Sequence, residues 1–183
     1  MDRVQAIDLL NQHLQNRNLF KHSLAVEAIM KALAKRLNGD TEKWALAGLL
    51  HDIDYEVTQG DMATHGAVGY EMLKQAGVDE DIAQAVLRHN EETGNVARNT
   101  FEKALQVADP ITGMITASAL VKPEKKLSAV DTDFVNRKMG EKSFAKGANR
   151  DKIRACEELG IPLNEYITLS IEAMQGIADE LGL

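Results

Sequence analysis

Six side chains in this sequence have the types and settings from which a metal centre is built. His51 and Asp52 are consecutive and close the apolar run Ala45-Leu46-Ala47-Gly48-Leu49-Leu50. An imidazole and a carboxylate buried side by side are costly unless a cation or a hydrogen-bond network accompanies them. A divalent metal ion meets both demands, because neutral imidazole nitrogen and carboxylate oxygen are its ordinary donors. His22, His65 and His89 also fall on expected helices or at their ends, and Asp109 ends the largely apolar stretch Leu105-Gln106-Val107-Ala108-Asp109. The fifth histidine, His13, stands apart from this set and is expected on the surface.

Helices are the elements that must position these residues. All three prolines lie at Pro110 or later, and aromatic residues make up only 4% of the chain, a balance that favours packed helices over a pleated sheet. Apolar residues at three- and four-residue steps predict a helix from Val4 to Leu14 and a second from about Asn18 to Asn38-Gly39. A third, capped by Asp40 or Thr41, is apolar on nearly every side and delivers His51-Asp52 at its inner end. Thr64 is expected to cap a fourth helix ending near Gly77, and Asp79 a fifth that places His89 beside Ile82, Ala85 and Val86. A sixth runs from about Thr100 past Asp109, with Pro110 removing one donor and able to bend it. Residues from Val121 to Asn149 break into short pieces, and a final helix follows Pro162. The fold class expected is all-α, a single domain of 183 residues.

In this order, His22, then Leu50-His51-Asp52, then Ala108-Asp109, the sequence resembles the HD-domain superfamily of metal-dependent phosphohydrolases over about residues 20–118. His65, in His65-Gly66-Ala67-Val68-Gly69-Tyr70, and His89, in Leu87-Arg88-His89, resemble the additional histidines of its two-metal members. The resemblance implies that His22, His51 and Asp109 hold one metal, that His65 and His89 hold a second, and that Asp52 bridges them. A nitrogen-rich donor set suits Fe, Mn, Zn, Co or Ni better than Mg or Ca, with Fe or Mn expected first. A water bridging the pair would be acidified from about 15.7 towards neutrality, supplying a hydroxide nucleophile with Asp52 positioning it. A hydrolase of a small phosphorylated compound, a nucleotide above all, is therefore expected. A di-iron oxygenase on the same ligands and a metal- or nucleotide-binding regulatory module are its rivals.

Where many of these proteins follow the His-Asp pair with a small residue and a lysine, this chain has Ile53-Asp54-Tyr55-Glu56. The change adds negative charge near the site and makes Asp54 a candidate for contact with substrate or a metal-bound water. Lys138, Lys142, Lys146 and Arg150 recur every four residues and could face a phosphate, although a solvated face is the simpler reading and Gly140 and Gly147 argue against one continuous helix. A net charge of -7 opposes general attraction to nucleic-acid polymers or anionic membranes. No apolar stretch approaches the length of a membrane span, Cys156 is the only cysteine, and Met1-Asp2-Arg3-Val4-Gln5 lacks a signal pattern, so a cytoplasmic protein is expected, with a homodimer among the assemblies allowed.

Overall fold

The computed structural model describes residues 1–183 and contains ten α-helices and no strand. These are α1 (Arg3–His13), α2 (Arg17–Arg36), α3 (Thr41–Leu50), α4 (Ala67–Gln75), α5 (Glu80–His89), α6 (Thr100–Leu120), α7 (Thr132–Met139), α8 (Arg150–Arg154), α9 (Leu163–Gln175) and α10 (Ala178–Leu181). The all-α expectation is met. Buried apolar side chains from α1 through α10 join in one contiguous core.

Local chemistry explains most helix starts. Asp2 closes a capping box with Gln5, and Asn16, Asp40, Asp79, Asn99, Asp131 and Asn149 each accept first-turn amides. The start of α4 departs from expectation. Thr64 makes no cap there; the cap position is Gly66, with φ +86°, and the Thr64 carbonyl accepts the amides of Ala67 and Val68. A side chain at Gly66 would meet the Val86 carbonyl oxygen at 3.1 Å, so glycine serves both the turn and the close approach of α5.

The longest helices, α2 and α6, carry the centre of the fold. Gly48 of α3 sits directly on α2: a Cβ there would lie 2.8 Å from the Val26 carbonyl oxygen and 2.9 Å from the Glu27 nitrogen. The missing side chain lets two backbones approach and brings the C-terminal end of α3 beside His22. Trp44 is 5% exposed and stacks on Phe101 with ring centroids 5.4 Å apart. Helix α6 is unbroken through Pro110, which is buried, and the Tyr166 hydroxyl of α9 donates to the Val107 carbonyl at 2.6 Å. The weak pattern after Val121 resolves as expected into short pieces, with α7 ending at Gly140 and α8 beginning only at Arg150.

Candidate metal centre

Four helices and one turn-rich connection bring the six residues together. His22 lies in the second turn of α2, His51 caps the end of α3, and Asp52 opens the connection to α4. His65 ends that connection, His89 is the last residue of α5, and Asp109 sits midway along α6. The Nε2 atoms of His22 and His51 are 3.2 Å apart, and those of His65 and His89 2.9 Å apart. Asp52 stands between the two pairs, with Oδ2 3.5 Å from His22 and Oδ1 at 3.3, 3.2 and 3.7 Å from His51, His65 and His89. Asp109 Oδ1 lies 3.2 Å from His22 Nε2 and 3.9 Å from His51 Nε2.

These spacings fit metal ions. Donors at ~2.1 Å from a common ion stand roughly 3–3.5 Å apart. Donor atoms of His22, His51 and Asp52 lie within 4.8 Å of one another, and so do those of Asp52, His65 and His89, giving two triads that share Asp52.

The outer nitrogens settle which way the lone pairs point. His51 Nδ1 is 2.9 Å from the Gly48 carbonyl and His89 Nδ1 is 2.6 Å from the Val86 carbonyl; a carbonyl only accepts, so each Nδ1 carries the proton. His65 Nδ1 donates to Asp54 at 2.8 Å. The Thr112 hydroxyl donates to the Asp109 carbonyl, and its oxygen therefore accepts from His22 Nδ1 at 2.9 Å. In the neutral form every Nε2 lone pair then faces the centre, where like faces like until a cation intervenes.

Ionisation follows the same layout. Burial pushes the His51 imidazole down to about 4, against the pull of Asp52. Burial also opposes the charge on His65, but Asp52 and Asp54 on either side outweigh it and raise it to about 10. His22 is raised, burial being outweighed by Asp109 and Asp52. Asp52 is buried and Asp109 half-buried, which favours their neutral forms, yet the surrounding histidines hold both below the ordinary carboxylate range. Without metal, protons must supply the positive charge that the carboxylates demand.

Two expectations for substrate contact change here. Asp54 is fully buried; its Oδ1 takes the His65 bond and its Oδ2 accepts the Gly66 and Gly69 amides at 2.8 Å each. It orients His65 and has no oxygen left for a substrate. Glu56, the other added charge, is also engaged, accepting the Gln15 and Asn16 amides at 3.0 and 2.6 Å ahead of α2. The basic series is likewise no stripe, because no helix spans 138–150. Arg150 donates to the carbonyls of Ala145 and Ala148, Lys138 pairs with Glu141, and Lys142 and Lys146 are exposed and do not line the metal cleft.

That cleft, about 310 Å³, is lined by Leu19, Tyr55, Met62, Asn90, Gly147 and Lys152 besides His22, Asp52, His65, His89 and Asp109. Lys152 is the cation the sequence reading missed; α8 places it there, 3.6 Å from Glu91. Thr112 was also missed, although its position one turn beyond Asp109 on one helix was a usable signal. Asn90 secures the connection before α4 by donating to the carbonyls of Met62 and His65 at 2.7 and 2.9 Å.

A family profile described as HD domain matches residues 19–114, more than half of the chain. The chain belongs to the HD-domain family. Relatives of this HD-domain protein include proteins named Ribonuclease Y. The one from Nitratidesulfovibrio vulgaris is 33% identical over 98 residues, 54% of this chain and 18% of its own length. Those from Alkaliphilus metalliredigens and Clostridium perfringens are 31% and 30% identical, each over 74% of this chain and 29% and 27% of their own lengths. The chain thus spans less than a third of these relatives. The family is one of metal-dependent phosphohydrolases, and the clustered histidines and aspartates are able to bind metal ions. No helix of the chain is long and apolar enough to cross a membrane.

Proposed function

We propose that this HD-domain protein is a two-metal phosphoesterase. In this reading His22, His51 and Asp109 hold one ion, His65 and His89 hold the other, and Asp52 is shared. The observation that carries it is the pair of donor triads meeting at Asp52, with every outer imidazole nitrogen donating away from the centre. Fe or Mn is the first choice of metal and Zn, Co or Ni the next. When bound, such ions lower the pKa of water and polarise a phosphoryl group.

The chain's own groups complete the chemistry. Asp52 turns its two oxygens towards different histidines, so one carboxylate fixes both halves of the site relative to each other. Asp54 and Thr112 hold the rings of His65 and His22 in orientation, and Lys152 at the cleft wall supplies a positive charge for a phosphate. The small polar cleft favours a nucleotide-sized phosphoester. The net charge of -7 speaks against a long polyanion, while relatives named Ribonuclease Y bring RNA into the comparison.

The test is elemental analysis of protein purified without chelator, with hydrolysis of bis(4-nitrophenyl) phosphate, a mononucleotide panel and a short RNA. About two transition metals per chain and turnover of a phosphoester are expected. Asp52→Ala should lose on the order of a hundredfold or more in rate with its helical content unchanged. A protein that takes up no Fe or Mn on reconstitution would refute the reading.

A further inference from the structure

The stretch Leu105-Gln106-Val107-Ala108 sets one polar side chain among apolar ones, and Gln106 is only 3% exposed. Its Nε2 donates at 2.7 Å to the carbonyl of Arg88, the residue that precedes His89. One turn earlier on the same face of α6, Glu102 meets the Arg88 guanidinium at 3.5 Å and accepts the Arg98 amide at 2.6 Å. Both members of this ion pair are nearly sealed from solvent, Arg88 at 6% exposed and Glu102 at 5%. A buried pair generally stabilises a fold no better than apolar side chains of similar size, so stability does not account for it. What the contacts fix is register. Glu102, Gln106 and Asp109 follow at i, i+4 and i+7, so one face of α6 grips the side chain of Arg88, then its backbone, and then presents a proposed ligand of its own.

We infer that Glu102 and Gln106 are positioning residues: they set the last turn of α5 against α6 through Arg88 and thereby hold His89 in the centre beside His65 and Asp52, where it serves the second ion. The role given to that ion rests on the two-metal reading above. Turning α5 by a single residue would carry His89 about 100° around the helix axis and out of the centre. The bond from its Nδ1 to the Val86 carbonyl lies within α5 and turns with it, so that bond does not oppose the motion. The contacts of Arg88 to α6 do oppose it. Glu102 also closes the connection between the two helices, because its carboxylate holds Arg88 before that connection and the Arg98 amide near its end. Asn90, within the connection, donates to the His65 carbonyl, so both histidines of the second triad depend on the same clasp.

The test replaces the ion pair by apolar residues in Arg88→Met/Glu102→Leu and removes the backbone contact alone in Gln106→Leu, which answers by itself should the double variant not fold. Each full-length protein is unfolded thermally without metal, titrated calorimetrically with Mn, and inspected by NMR for the Overhauser contact between the His65 and His89 rings, whose centroids are 4.7 Å apart. The double variant should unfold within about 3 °C of the wild type, as apolar replacement of a buried pair allows. It should nevertheless bind the second Mn ion about 10–100-fold more weakly while holding the first within about threefold, and Gln106→Leu should weaken the second about tenfold. Both ions bound as tightly as in the wild type would overturn the inference, and so would equal losses at both sites alongside a large fall in melting temperature, the mark of general loosening. A wild type that takes up no Mn separates the two claims. Loss of the ring contact in the variants would then keep the positioning role and sink the two-metal reading, whereas an unchanged contact would sink both.

Discussion

Replacing Gly48 by alanine tests whether the approach of α2 to α3 is what assembles the centre. Alanine is the better helix former by about 1 kcal/mol, so on propensity alone the variant gains stability. The packing argues the other way. The new Cβ would stand 2.8 Å from the Val26 carbonyl oxygen and 2.9 Å from the Glu27 nitrogen, both backbone atoms that cannot swing aside. Ordinary contact needs ~3.5 Å, so the helices must part by roughly half an ångström or more, and overpacking of this kind costs typically about 1–3 kcal/mol. At about 2–4 °C per kcal/mol for a chain of this size, the melting temperature should fall by about 2–12 °C. The same shift carries His51 away from His22, now 3.2 Å apart, and metal affinity should drop about tenfold or more. Gly113→Ala is the control, since it adds the same methyl group to a helix without crowding and should be neutral or stabilising. Calorimetry and metal content per chain read both variants. A Gly48→Ala protein as stable and as metal-rich as the wild type would refute the reasoning.

Three further outcomes are expected. Asp54→Asn keeps the shape but replaces the charged partner of His65 and of two amides, and metal titration should show affinity lower by about 10–100-fold; unchanged affinity would mean that His65 needs no such support. In chelator-treated protein, neutral His51 stabilises above its unfolded pKa of about 6.5 and loses that contribution as pH falls towards 4, whereas charged His65 stabilises below about 6.5 and loses it as pH rises towards 10. The metal-free melting temperature should therefore peak near pH 6–7, and a midpoint climbing steadily to pH 10 would contradict the ionisation described. Tyr166→Phe leaves the buried Val107 carbonyl without its 2.6 Å donor and should cost about 1–2 kcal/mol, measurable by denaturant unfolding; a loss below a few tenths would show that the bond contributes little.

Much of the architecture was legible because its determinants are local. Asp40, Asp79 and the apolar steps of α2, α3 and α6 announce themselves within a few residues, and His22, His51, Asp52, His65, His89 and Asp109 do converge. The misreadings share a cause, which is that charge in a sequence does not reveal its partner. Asp54 looked like a free carboxylate, but its three donors come from 11 to 15 residues further along. Glu56 caps a segment 40 residues earlier. The break in the Lys138 to Arg150 series was legible at Gly140 and Gly147, while Lys152 at the cleft belonged to no visible pattern. Cys156, the only cysteine, is buried, with its thiol pushed up to about 11 by burial and Glu157.

One helix also sets where the length of this protein can vary. Glu102 faces Arg88, Gln106 donates to the Arg88 carbonyl, Val107 receives Tyr166, Asp109 and Thr112 meet His22, and Gly113, Thr116, Ala117 and Leu120 wall a cavity shared with α2, all from α6. Inserting one residue anywhere between Glu102 and Asp109 would rotate everything beyond it by about 100° and advance it by ~1.5 Å, so all contacts past the insertion fail together. Single substitutions along α6 can be absorbed one by one. Insertions and deletions are instead confined to the connections that flank it, before Thr100 and after Leu120.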